Sequence, residues 1–176
     1  MRTLVTGGVR SGKSRHAESL LGDHALVTYV APGPLPNPDT DPEWAERVRR
    51  HQKQRPAQWR TIESTDLVAA LASADGTVLI DCLGTWVTAL IDDLNGWDRP
   101  QSDWRVAFDA SVDAALVALA QTEGDVVVVT NEVGWGVVPE HASGRLFRDL
   151  LGTVNQRWAS TSDEVHLVVS GRVVRL

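Results

Sequence analysis

Cysteine, lysine and long apolar runs are scarce in this chain of 176 residues. The single cysteine, Cys82, excludes a framework of intramolecular disulfides. No apolar run is long enough to cross a bilayer and no secretory segment precedes the first predicted strand, so we expect a cytoplasmic protein without a membrane span. The formal net charge of −6 argues against nucleic acid as a general partner.

Apolar residues, by contrast, are plentiful at 43% of the chain, and they occur in short continuous runs. Such runs are typical of strands buried on both faces, and here they span residues 3–6, 26–31, 77–81, 125–130 and 165–170. Helical patterns lie between them, over residues 15–21, 65–74, 85–94, 104–121 and about 139–160. The alternation predicts an α/β fold of three layers with a mostly parallel sheet, formed as one domain over residues 1–176. Residues 173–176 are expected to add a short antiparallel strand after a turn at Gly171.

The most specific motif is a complete G-x-x-x-x-G-K-[ST] loop between the first predicted strand and the first predicted helix. Its residues are Gly7, Gly8, Val9, Arg10, Ser11, Gly12, Lys13 and Ser14. A loop of this kind directs several backbone N–H groups at the phosphates of a nucleotide, beside the positively polarised end of a helix. The motif predicts that Lys13 reaches the outer phosphates of a nucleoside triphosphate and that the Ser14 hydroxyl binds Mg²⁺.

A second segment concentrates positive charge in this acidic protein. After the proline-rich loop over residues 32–38, Thr40 or Asp41 is predicted to cap a helix that continues to Gln54. Its C-terminal half surrounds His51 with permanent cations, which are Arg47, Arg49, Arg50, Lys53 and Arg55. Two interpretations remain open: a solvated helix face with a bystander histidine, or a neutral imidazole that attacks phosphorus while the cations stabilise departing pyrophosphate.

Two further strand ends carry polar residues. Asp81 follows an apolar strand, where it either holds Mg²⁺ opposite Ser14 or simply caps the next turn. Residues 130–136 follow another buried strand and either contact substrate or form an ordinary turn. His16, His24, His141 and His166 show no metal-ligand spacing with Cys82 or with one another, so we interpret them as structural or exposed.

Taken together, these segments resemble one family over nearly the whole chain, the bifunctional adenosylcobinamide kinase / adenosylcobinamide-phosphate guanylyltransferases. The resemblance is carried by the loop at 7–18, by Arg50-His51 and residues 55–63, by Asp81-Cys82-Leu83, by residues 130–134 and 145–157, and by the C-terminal run 164–171. It implies a RecA-like P-loop fold and an enzyme of cobalamin assembly. Such an enzyme phosphorylates adenosylcobinamide with a nucleoside triphosphate, ATP or GTP, and then transfers GMP from GTP to the resulting phosphate through a guanylylated histidine.

The resemblance also implies roles for particular residues. The guanylylated histidine would be His51, Mg²⁺ would be bound by Ser14 and Asp81, and the protein would form a homotrimer. The implied nucleotide contacts, beyond Gly7 to Ser14, are Ala31, Pro32, Gly33, Gln52, Lys53, Gln54, Arg55, Glu63 and Asp81. This chain departs from the family at Pro32-Gly33, where relatives often carry a Thr-Ser type pair, and at Gly84 and Ala89, where many have threonine and asparagine.

Two other functions stay open on the sequence alone. A P-loop kinase of another small molecule would transfer a phosphoryl group without forming a covalent nucleotide intermediate. A GTP-binding switch would hydrolyse GTP slowly and change conformation with a partner, although the sequence has no base-recognition signature of that type.

Overall fold

The architecture comes from a computed structural model that describes residues 1–22, 26–34, 39 and 41–176, without the side chains of Trp44, Arg47, Arg50, His51, Lys53 and Gln54. Seven strands are present in this part of the chain: β1 (Arg2–Gly7), β2 (Val27–Ala31), β3 (Arg60–Glu63), β4 (Thr77–Asp81), β5 (Val126–Val129), β6 (Glu164–Val169) and β7 (Arg172–Arg175). The α-helices are α1 (Lys13–Leu21), α2 (Pro42–Gln54), α3 (Leu67–Ala72), α4 (Leu83–Asp93), α5 (Arg105–Gln121) and α6 (Ala142–Ser160).

All seven strands form one sheet in the order β3-β2-β4-β5-β1-β6-β7. Every pairing is parallel except that of β6 with β7, which is antiparallel as predicted from the C-terminal sequence. Because β1 to β6 are parallel, their carboxyl ends share one edge of the sheet, which is where α/β folds bind ligands. The P-loop, Asp81 and residues 130–132 therefore all lie on this edge.

Two apolar clusters lie on opposite faces of the sheet. One cluster joins Val5, Tyr29 and Leu79 to Ala17 and Leu21 of α1. The larger cluster joins the alternate strand residues to α3, α4, α5 and α6, and it includes the buried rings of Trp86 and Trp158. These rings meet edge to face with centroids 6.1 Å apart, a favoured aromatic geometry. The three predicted layers are thus helix, sheet and helices.

Apart from shifts of one or two residues at element ends, the observed elements differ from the predicted ones in three places. The sequence predicts no strand at Arg60–Glu63, because these residues lack the apolar run of a buried strand. Three of the four are exposed, and the strand lies at the edge of the sheet. Residues 95–103, between two predicted helices, end in a short 3₁₀ turn at Gln101–Asp103 that the sequence pattern does not predict. The last helix begins at Ala142 rather than near Pro139, with His141 as its N-cap.

No helix in the described ranges combines the length and the apolar composition that a membrane crossing requires.

Candidate active site

The P-loop has the shape that its sequence predicts. It joins β1 to α1, which begins at Lys13. Gly12 has φ 96°, a left-handed conformation that side chains rarely adopt, and a Cβ at Gly7 would lie 2.4 Å from the carbonyl oxygen of Val168. The Lys13 side chain is 8% exposed, and its Nζ donates to the carbonyl oxygen of Gly8 over 3.2 Å. The lysine therefore lies folded against the loop that should hold the phosphates.

The turn between β6 and β7 is hydrogen-bonded to the same loop. The Gly171 N–H donates to the carbonyl oxygen of Ser11 over 2.8 Å, and the Ser11 N–H donates to that of Gly8 over 3.2 Å. The Ser11 hydroxyl is buried and finds no hydrogen-bond partner among the described residues. A buried hydroxyl without a partner costs free energy, and the P-loop bears this cost at Ser11.

Asp81 ends β4 among groups that belong to α1 and β2. The Tyr29 hydroxyl donates to Asp81 Oδ2 over 3.2 Å. Burial, and then the charge of Asp81, raise the pKa of Tyr29 well above its usual value, so this hydroxyl keeps its proton. Burial raises the pKa of Glu18 on α1, and the neighbouring Asp81 carboxylate raises it further. Asp81 and Glu18 are a pair of neighbouring carboxylates, oxygen donors of the type that Mg²⁺ prefers.

Arg55 lies between this carboxylate pair and the edge of the sheet that β3 forms. Its guanidinium carbon lies 3.6 Å from the centre of the Tyr29 ring, a cation–π contact, and the Trp59 ring stacks beside Tyr29 at 6.5 Å. The charge of Arg55 also lowers the pKa of Glu18 against the two effects that raise it. Arg55 Nε is buried without a hydrogen-bond partner among the described residues. This contact places the positive charge of Arg55 over the ring whose hydroxyl donates to Asp81.

An open pocket of about 480 Å³ lies where α2 meets β3. The pocket brings together three residues that the resemblance implied as nucleotide contacts, Gln52, Arg55 and Glu63. Gln52 Nε2 donates to Glu63 Oε1 over 2.8 Å. The rest of the lining comes from Pro56, Ala57, Trp59 and Thr61. An aromatic ring beside an amide and a carboxylate can bind a planar heterocycle that has N–H donors at its edge.

Two polar side chains after the carboxyl end of β5, those of Asn131 and Glu132, contact the two neighbouring strands. Glu132 Oε1 accepts a hydrogen bond from the Thr6 hydroxyl over 2.7 Å, and the Glu132 N–H donates to the carbonyl oxygen of Gly7 over 3.1 Å. Asn131 Nδ2 lies 3.7 Å from Cys82 Sγ at the end of β4, on the other side. Residues 130–132 thus contact both the strand that leads into the P-loop and the strand that ends at Asp81. Of these residues, Glu132 lies beside the P-loop.

The loop after β2 approaches α4. A Cβ at Gly33 would lie 3.0 Å from Thr85 Cβ, and Pro32 beside it is buried. Ala31, which ends β2, accepts a hydrogen bond from the Ser64 N–H over 3.3 Å. These three predicted nucleotide contacts therefore lie at the ligand edge. Residues 35–38 and Thr40, the alternative cap of α2, lie outside the described residues.

The helix predicted around His51 exists as α2, Pro42–Gln54, and position 51 falls in its last turn. The side chains of His51, Lys53 and Gln54, and of the cations Arg47 and Arg50, lie outside the described part of the structure. Arg49 pairs with Glu46 on the same helix. Since β3 lies four strands from β1, the α2–β3 side is about 19 Å from the P-loop strand, and Arg55, Tyr29 and Asp81 occupy the interval.

The remaining histidines behave as structural groups where they are described. His16 Nε2 and His166 Nδ1 are 2.9 Å apart, and His166 Nε2 lies 2.9 Å from Glu164 Oε2. Burial, then the nearby His166 and Arg175, lower the pKa of His16, which favours a neutral ring. No group of three or more His, Cys, Asp or Glu side chains that could hold a metal ion occurs in the described ranges. His24 lies outside them.

A family model described as cobinamide kinase / cobinamide phosphate guanyltransferase matches residues 3–176. The bifunctional adenosylcobalamin biosynthesis protein CobU of Salmonella typhimurium is 44% identical over 184 residues, covering 100% of this chain and 99% of that protein. The protein of the same name in Escherichia coli is 42% identical over 185 residues, with the same coverage of both chains.

A solved structure of an ATPase from the type III secretion system of pathogenic bacteria shares the fold. It superposes with a TM-score of 0.55 at 13% identity, over 94% of this chain and 50% of that one. Such a likeness concerns architecture alone. It confirms the predicted three-layer, RecA-like P-loop fold.

Proposed function

The chain belongs to the cobinamide kinase / cobinamide phosphate guanyltransferase family, and we propose that it catalyses both reactions as one domain over residues 1–176. In the first, a hydroxyl of adenosylcobinamide attacks the γ-phosphorus of ATP or GTP, and a nucleoside diphosphate leaves. In the second, His51 attacks the α-phosphorus of GTP and releases pyrophosphate. The phosphate of adenosylcobinamide phosphate then displaces the histidine, giving adenosylcobinamide-GDP and free His51.

The observation that carries this proposal is the continuity between the P-loop and the pocket at α2 and β3. A row of contacts runs along the ligand edge: Asp81 accepts from Tyr29, and Arg55 stacks on the Tyr29 ring. Arg55 in turn lines the pocket. A triphosphate held at Lys13 could extend along this row toward the last turn of α2. An arginine on the path would stabilise charge that develops on pyrophosphate as it leaves.

The phosphate end of the nucleotide is assigned to Gly7 through Ser14, with Lys13 as the cation on the outer phosphates. When bound, Mg²⁺ would neutralise the charge that develops between the phosphates, and Ser14 and Asp81 would hold it. Burial raises the pKa of Glu18 and the charge of Asp81 raises it further; the second effect fits this role for Asp81, because a bound cation would relieve the repulsion between the two carboxylates. Ala31, Pro32 and Gly33 lie on the same edge and would border the nucleotide.

The base end is assigned to the pocket lined by Gln52, Arg55 and Glu63. Guanine presents N1–H and N2–H₂ donors side by side, and a carboxylate can accept from both. Glu63, which accepts from Gln52 in the described structure, would exchange that amide for the guanine edge while Trp59 covers a face of the ring. Lys53 and Gln54 would contact the same nucleotide from the last turn of α2. This pocket would make the second reaction specific for GTP.

The products test the proposal directly. The purified protein with Mg²⁺, GTP and adenosylcobinamide is expected to convert the corrinoid first to its phosphate and then to the GDP derivative, both separable by chromatography and identifiable by mass. A kinase of the simpler kind would stop at the phosphate. Absence of both products would contradict the proposal, and a slow GTP hydrolysis independent of corrinoid would favour a GTP-binding switch. The homotrimer, the lack of a nucleic acid partner and the cytoplasmic location stay predictions.

A further inference from the structure

Glu132 occupies a distinctive place beside the P-loop. It lies three residues beyond the end of β5, the strand that separates β1 from β4. Its backbone N–H donates to the carbonyl oxygen of Gly7, the first residue of the loop, and its Oε1 accepts from Thr6. Both ends of this residue are therefore fixed against the strand that leads into the phosphate-binding loop.

The charge of this carboxylate is not neutralised where it lies. Glu132 is half-buried, and it forms no ion pair with any residue that the structure describes. Its second oxygen, Oε2, accepts no hydrogen bond from these residues either. A carboxylate beside a loop built for polyanions is electrostatically unfavourable unless it serves a proton or a cation.

The position of Glu132 separates it from the proposed Mg²⁺ ligands. Val5 and Leu79 point into the cluster with α1, so Asp81 lies on the α1 side of the sheet with Tyr29 and Glu18. Thr6 alternates with Val5 and points to the opposite side, where it meets Glu132. The two carboxylates thus approach the ligand edge from opposite sides.

The surroundings of Glu132 suit an incoming organic acceptor. The loop that follows it exposes apolar side chains, with Trp135 70% and Val137 95% exposed. An apolar surface of this kind next to a carboxylate can contact the large ring system of an acceptor, while the hydroxyl of that acceptor faces the phosphates. At 70% exposure most of the Trp135 ring is free of contact with the described residues.

We propose that Glu132 is the general base of the kinase step. It accepts the proton of the acceptor hydroxyl as that oxygen forms its bond to the γ-phosphorus. The bond from the γ-phosphorus to the β–γ bridging oxygen breaks, the nucleoside diphosphate takes the electron pair, and Glu132 passes its proton to solvent. The inference rests on the proposed function and deepens it, because the second reaction starts from a phosphate that is already ionised and needs no such base.

A purely structural role is the competing explanation, with Glu132 as a tether that holds Thr6. The variant Glu132→Gln separates the two, because its amide oxygen still accepts from Thr6 but cannot act as a base. The matched control is Thr6→Val, which removes the tether and leaves the carboxylate. The two half-reactions give independent readouts, with adenosylcobinamide as substrate for the kinase and adenosylcobinamide phosphate for GMP transfer.

We expect E132Q to lower the kinase kcat by about 10²–10⁴-fold with little change in the nucleotide KM, as loss of a general base does. GMP transfer to adenosylcobinamide phosphate should stay within about threefold of the native rate, which corresponds to a change of about 0.7 kcal/mol or less in the activation free energy. T6V should lower the kinase kcat by less than about tenfold, in keeping with the loss of one hydrogen bond. The fall in kinase rate at low pH that protonation of the base causes should be absent in E132Q.

A kinase kcat for E132Q within a few-fold of the native value would overturn the proposal. Equal loss of both half-reactions, or a larger effect of T6V than of E132Q, would overturn it in favour of the tether. Glu132→Asp provides a further check, since it keeps the acid at a shorter reach and should recover part of the kinase rate with its pH dependence. If the native protein makes neither product, the proposed function itself has failed, and that outcome is distinct from all of these.

Discussion

The two ends of the proposed nucleotide site differ in how they are built. The P-loop end is rigid: Gly7 touches the β6 backbone, Gly12 adopts a conformation that favours glycine, and Ser11 is bonded to the β6–β7 turn. The pocket end is open, with the short edge strand β3 and the side chains of Gln52 and Glu63 facing solvent. If the proposed function is right, fixed backbone holds the phosphates, whereas base recognition and nucleophilic attack depend on side chains at an edge of the sheet.

Loss of the lysine should break both ends together. Lys13→Ala removes the P-loop cation that we assign to the outer phosphates, and both half-reactions need a bound triphosphate. We expect kcat/KM to fall by about 10²–10³-fold for the kinase and for GMP transfer from GTP, the effect of losing a strong electrostatic contact. Parallel steady-state assays check this. A selective loss of only one activity would show that the two reactions use separate phosphate sites.

Distortion of the loop should separate the rigid end from the open one. In Gly7→Ala the new Cβ would lie 2.4 Å from the carbonyl oxygen of Val168, so β1 and β6 must move apart. We expect a loss of about 1–3 kcal/mol in the free energy of unfolding, measured by denaturant titration, together with weaker nucleotide binding. Gly152→Ala is the matched control, since its Cβ would meet nothing within 4 Å. Equal stability of the two variants would contradict the rigid description.

Base selectivity should change at the pocket while the phosphate end is untouched. Glu63→Ala removes the carboxylate that we assign to guanine, so kcat/KM for GMP transfer from GTP should fall by about 10–100-fold. The kinase reaction with ATP should change much less. Inosine triphosphate, which lacks the 2-amino group but keeps N1–H, should already be a poorer donor for the native protein and should lose less than GTP does in the variant. An unchanged preference for GTP over inosine triphosphate in the variant would remove Glu63 from base recognition.

The smallest expected effect concerns the carboxylates near the P-loop. Because the folded-state pKa of Glu18 is raised, the folded protein favours the protonated form of this residue more than the unfolded chain does. The resulting contribution to the free energy of unfolding is lost as pH rises through the raised pKa. Glu18→Gln mimics the protonated form, so without Mg²⁺ and nucleotide it should be more stable than the native protein above that pH. It should be equal below the ordinary range of glutamate. Exposure limits the gain to about 1 kcal/mol or less, measured as a pH series of melting temperatures.

Sequence reasoning succeeded where residue type alone dictates structure. Gly7 and Gly12 mark backbone that tolerates no side chain, and the continuous apolar run Val126–Val129 marks a buried strand. The exposed residues of β3 gave no such signal, so the strand was missed, and with it the side of the pocket that carries Glu63. Its assignment to the nucleotide came only from resemblance.

Contacts that join distant segments were also beyond the sequence. The stacking of Arg55 on Tyr29 and the bond from Thr6 to Glu132 bring together residues separated by 26 and 126 positions. Periodicity places each residue on an element but does not show which elements meet. The signal that could have singled out Glu132 was its position after a buried strand, which predicts the ligand edge without specifying a partner.

The central claim is that one triphosphate, held by Gly7 to Ser14, reaches the imidazole of His51. Incubation with GTP radiolabelled at the α-phosphate, without corrinoid, tests it most directly. We predict acid-labile label on the native protein, none with GTP labelled at the γ-phosphate, none in His51→Ala, and chase of the label into adenosylcobinamide-GDP on addition of adenosylcobinamide phosphate. An unlabelled native protein, or a His51→Ala variant labelled as strongly as the native one, would contradict the account.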